Sequence, residues 1–195
     1  MTTRSLLLRL GALLLTALTF SLTSISAQRR DHLTELEVDQ IKEAQVLDKR
    51  IEVFVKAVER RMRVITGSTT DTAKQQKKDT EVYGDLPTGT RAELVGDIAK
   101  ILDEAVTNID DVSAHDEKNP LIPKALRILA KEVTHVVEQL RPLQAQAKDD
   151  AEIASFEYLI QNAEPILEAA NRLPPALTEK ELKERKKAEK EKAKN

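Results

Sequence analysis

Glu132 and His135 are the residues best placed to do chemistry. They stand in Glu132-Val133-Thr134-His135, and three-residue spacing puts a carboxylate and an imidazole on one face of a helix. Di-iron bundles build their centres from two such elements and two further carboxylates. The other histidines, His32 and His115, do not follow an acid by three residues, so the second element is missing. Glu132 and His135 therefore stand as a candidate metal pair, weighed against the plainer reading of two polar residues flanking a buried stripe.

Two further clusters deserve the same weighing. His115-Asp116-Glu117, shortly after Asp110-Asp111, offers carboxylate oxygens to a hard cation but lacks the ligand spacing of a calcium loop. As a solvated connector after a helix it needs no ligand. Arg60, Arg61 and Arg63 form the strongest basic knot in the domain. They could grip a phosphate or an anionic lipid head group, but cations in the last turns of a helix already suit its dipole. No nucleophile, base and orienting group can be assembled from the sequence, so neither catalysis nor a cofactor is expected. The chain has no cysteine, which excludes disulfides, thiolate metal sites and a cysteine nucleophile.

The elements that must carry these residues are helices. From Lys124 to Lys148, the residues Leu126, Leu129, Val133, Val136, Leu140, Leu143 and Ala147 recur at three-then-four spacing. Such a stripe leaves water only against other helices. Thr34 and Glu37 spell a capping box, with Leu33 and Val38 as its hydrophobic staple, and the stripe that follows runs to Gly67. Thr90 and Glu93 repeat the box. Asp149 or Asp150 caps the last pattern, which Pro174-Pro175 stops. A one-residue slip of phase places a tight turn near 148–150, with one continuous bent helix as the alternative.

The expected fold is all-α, an elongated antiparallel four-helix bundle with helices over 35–66, 91–113, 121–148 and 150–173. A long loop joins the first two. That loop, 67–90, is dense in Gly, Thr and Pro; it is read as docked through Val82, Tyr83 and Leu86, with a helical turn near 72–78 as the alternative. Pro142 and Pro165 fall inside helical patterns, where a kink could open a pocket.

Residues 1–27 read as a signal peptide: Arg4 and Arg9, an apolar run from Leu10 to Phe20, then small residues ending at Ala27. The rival reading is a retained anchor. After cleavage no membrane span is expected, so the domain at 28–177 would be exported, to the periplasm or beyond the cell. The tail at 178–195 is nearly all Lys, Glu, Arg and Ala, and should be mobile. Removing the tail's +3 and the leader's +2 from the chain's net −2 leaves 28–177 at −7. That acidity, with only two Phe and two Tyr after the leader, argues against nucleic acid as partner. The expected function is a structural or protein-interaction role, with another envelope protein or an anionic envelope polymer as partner. The alternative is a small-ligand or metal-binding bundle with its site near Glu132 and His135.

Overall fold

Three threonines set where helices begin. In a computed structural model, which describes residues 31–68 and 72–175, six helices follow one another: α1 (Glu35–Glu43), α2 (Leu47–Thr66), α3 (Ala73–Tyr83), α4 (Arg91–His115), α5 (Leu121–Gln144) and α6 (Asp150–Asn171). Thr34, Thr72 and Thr90 each accept a hydrogen bond from the amide three residues on, while the side-chain oxygen of Glu37, Gln75 or Glu93 accepts one from the threonine amide. Two orphan amides are satisfied at each start. Asn119 accepts from the Leu121 amide at 3.0 Å and Asp149 from the Ala151 amide at 2.7 Å, satisfying one amide each at the starts of α5 and α6. Gly67, at φ 64°, ends α2 in the left-handed conformation that a side chain would resist.

The fold is all-helical, and among the described residues there are six helices where the sequence pattern implies four. The segment read as one helix over 35–66 breaks at 44–46. An unbroken helix would hold Glu37 about 35 Å from Arg60, at ~1.5 Å per residue; instead Arg60 Nε donates to Glu37 Oε1 at 3.1 Å. The chain must fold back for this contact. Arg50 Nε then satisfies the released Ala44 carbonyl at 2.9 Å. The connection after Gly67 contains α3 in place of a long loop, so the helix extends well past the turn weighed near 72–78. Smaller differences lie at the ends: α5 stops at Gln144 and residues 145–149 form the turn, where the sequence pattern carried the helix on to 148.

Helix α4 packs on α2, α5 and α6, while α2 and α6 also pack on α5. Three neighbours explain the wide stripe of α4, in which Val95, Ile98, Ala99, Ile101, Leu102 and Ala105 are all fully buried. Opposite them lie Ile51, Phe54 and Val58 of α2, Leu129, Val133 and Val136 of α5, and Phe156, Leu159 and Ala163 of α6. Each large side chain buried this way contributes about 1.5–3 kcal/mol relative to exposure. Asn162 Nδ2 donates to the Ala99 carbonyl at 2.9 Å, fixing α6 against α4, and ion pairs Arg91–Glu152 and Lys124–Asp48 join helix to helix at the rim. Helix α1 packs on α2 and on α3.

All described residues belong to one compact unit beginning at Asp31. Among them no helix is long and apolar enough to cross a membrane. The proposed signal peptide at 1–27 and the tail at 178–195 lie outside the described residues.

Candidate functional site

The last two turns of α2 face the middle of α5 across a cleft. Positions 59, 62, 63 and 66 share one face of α2 by three-and-four spacing, as 132, 135 and 139 do on α5. The cleft of about 330 Å³ is lined by Glu59, Met62, Arg63 and Thr66 from α2, Ser68 beyond it, and Glu132, His135 and Gln139 from α5. Its size is near the lower limit for small-molecule pockets, about 300–1,000 Å³.

Glu132 is its chemical centre. Flanking the stripe residue Val133, it meets the end of α2 rather than water, and it is only 9% exposed. Its Oε1 is buried with no hydrogen-bond partner. Burial pushes the carboxyl up to about 7; the like charge of Glu59 adds to the shift and Lys131 opposes it. Glu132 is thus poised between acid and carboxylate near neutral pH. His135, one turn on, is exposed at the mouth, its Nε2 3.0 Å from the Gln139 amide nitrogen. Arg63 turns toward Asp79, with Nη1 3.5 Å from Oδ2. Glu132 and His135 therefore line one cleft, as their spacing implies. Among the described residues, no three His, Asp or Glu side chains gather as a metal site. Pro142 does not line the cleft.

No family model, curated protein or solved structure matches this chain.

The basic knot is resolved differently from the surface grip weighed above. Arg60 is 0% and Arg61 1% exposed, among the largest fully buried side chains. Arg60 Nε and Nη1 donate to Glu37 Oε1 and to Asp79 Oδ2, at 3.1 and 2.7 Å. Its Nη2 donates to the carbonyls of Tyr83, Gly84 and Asp85 at 3.2, 3.2 and 2.6 Å, closing the end of α3. Arg61 makes a forked pair with Glu37 at 2.6 and 2.8 Å, and also reaches the His32 carbonyl at 2.6 Å. Burial pushes the Asp79 carboxyl up, but the bond from Lys56 and the charges of Lys56, Arg60 and Arg63 outweigh it and hold the group below its usual range. Two guanidinium groups thus bolt α1 and α3 to α2. Neither can reach an external phosphate.

The docking of 82–86 follows from the same network. Val82 and Tyr83 are half-buried, and the Tyr83 ring lies 5.5 Å from the Arg60 guanidinium, but Leu86 is 40% exposed while Pro87 is buried. His115 ends α4 in solvent, its Nδ1 2.6 Å from the Asp111 carbonyl. The sequence offered one signal for the buried network: Glu37 is an acid at the third position of a capping box, where its carboxylate is held in place and ready to receive a partner.

Proposed function

We propose that this chain is an exported, non-catalytic helical protein that works by binding another component of the cell envelope, and that the cleft between α2 and α5 is where it binds. The observation that carries this reading is Glu132 Oε1, a buried carboxylate oxygen without a partner at the wall of a cleft. Leaving such an atom unsatisfied costs on the order of 1–3 kcal/mol, more when charged, and a bound group can recover that cost. It moves the weight from a role of the surface alone to a defined site. In this reading α2, α4, α5 and α6 are an antiparallel bundle, and α1 and α3 are additions that brace α2. Residues 1–27 serve export, and the basic tail leaves an acidic domain free to meet its partner.

Met62 is the only methionine besides Met1, and it lines the cleft. Methyl-labelled methionine therefore gives the site its own NMR signal. Adding a whole envelope extract, proteins included, should move the Met62 methyl in the full chain and leave it in place in Glu132→Gln. A methyl that never moves would sink the cleft reading. For export, intact mass of protein from an envelope fraction should lack about 27 residues, as a cleaved leader requires.

A further inference from the structure

Resting on the reading of the cleft as a site, we propose that its ligand carries a primary alkylammonium group, seated against Glu132 with the alkyl chain on Met62. The donor and charge pattern selects this class. Two of the eight lining residues, Glu59 and Glu132, are acids, and a cation placed between α2 and α5 relieves their mutual repulsion. An anion would meet both carboxylates, while the guanidinium of Arg63 is drawn to Asp79. A divalent metal would need several converging oxygen or imidazole ligands, and among the described residues no such trio is present. An ammonium head needs only acceptors, and three N–H bonds can be shared among a carboxylate, the Thr66 hydroxyl and the Gln139 amide oxygen. The buried thioether of Met62, 5% exposed, offers an apolar contact for the methylenes.

The charged groups around Glu132 are Glu59 and Arg63 from α2 and Lys131 and His135 from α5; α4 and α6 also pack on α5 but put no residue into the lining. An ammonium favours the carboxylate over the acid, so binding below pH 7 must release a proton. Affinity should then rise roughly tenfold between pH 6 and pH 8, following the ionised fraction of a group with a pKa of about 7. Such an ammonium could belong to a free amine or to a lysine side chain of a protein.

The full chain is titrated with n-butylamine, with Nα-acetyl-lysine amide, with zinc chloride and with sodium phosphate, following the Met62 methyl and the Glu132 side-chain carbonyl by NMR. Both amines should shift the methyl and lower the Glu132 titration midpoint, and Glu132→Gln should weaken them at least tenfold and flatten the pH dependence. Binding of the lysine amide well above that of butylamine would support the proposal with a protein as the source; equal binding would support it with a free amine. His135→Ala should keep the pH dependence, and its loss there would overturn the assignment to Glu132. If zinc or phosphate moves the methyl and the amines do not, the ligand class is wrong while the cleft stands as a site. If nothing moves it, the cleft reading fails and takes this proposal with it.

Discussion

A buried carboxyl with an unpartnered oxygen makes stability depend on pH in an unusual direction. Glu132 has an ordinary value of 4.5 when unfolded and about 7 when folded. Between these the folded chain holds a proton that the unfolded chain has released. Stability should therefore fall as pH rises through 4.5 to 7, by about 2 kcal/mol once solvent at the cleft mouth is allowed for. Glu132→Gln should remove that slope and be the more stable protein at pH 8; urea midpoints at pH 5 and pH 8 for both proteins measure it. A second contrast separates the buried seam from the cleft rim. Val133 is fully buried, so Val133→Asp should cost several kcal/mol, whereas exposed His135→Ala should cost under about 0.5 kcal/mol. Equal losses in urea unfolding would mean that His135 has a structural role. Val133 could be placed from sequence because periodicity reports which side of a helix is buried. The burial of Glu132 could not, since it depends on how close the end of α2 comes, and no pattern within α5 records that distance.

For the elements, the decisive contact is the one between Arg60 and the pieces it joins. Arg60→Ala leaves Glu37 and Asp79 short of a partner in a buried site, which typically costs about 3–5 kcal/mol. Arg60→Lys should recover little of that loss, because a single ammonium cannot span Glu37, Asp79 and the carbonyls of 83–85 as a planar fork does. Chemical denaturation of both variants tests this, and a loss no larger than that of a surface substitution would show that the network holds nothing. The same contact explains which elements could be read in advance. Helices α4, α5 and α6 are visible because their stripes run unbroken between capping residues such as Thr90 and Asp149. The break at 44–46 is hidden, since Ile41, Ala44 and Leu47 keep helical spacing across it and no Gly or Pro marks it. Three arginines within four positions resemble a solvated face until α1 and α3 are known to lie over them. What α3 offers them is one buried acid, Asp79, and a row of carbonyls, neither of which alters a hydrophobic pattern.

The whole molecule has two kinds of cohesion. Helices α2, α4, α5 and α6 share an apolar core to which Val38 and Ile41 of α1 add, whereas α3 is held to α2 by the ionic and carbonyl contacts of Arg60. Amide hydrogen exchange should fall into two tiers, with α4 and α5 opening only on global unfolding and α3 at a lower free energy. Arg60→Ala should pull the α3 tier down further and leave the protection pattern within α4 intact. Uniform protection across all six helices would contradict this division.

The network has a further consequence for how long the native state lasts. Its charges lose their hydration before they gain their partners, and Arg60 is fully satisfied only when α1, α2, α3 and the 83–85 carbonyls are all in place. Contacts that need so many pieces in place at once are expected to form on the native side of the folding barrier, where their loss is read in the unfolding rate. In stopped-flow experiments Arg60→Ala should refold about as fast as the unaltered chain and unfold many times faster. The guanidinium then sets the half-life of the folded protein, and the aliphatic helices set the speed at which it is reached.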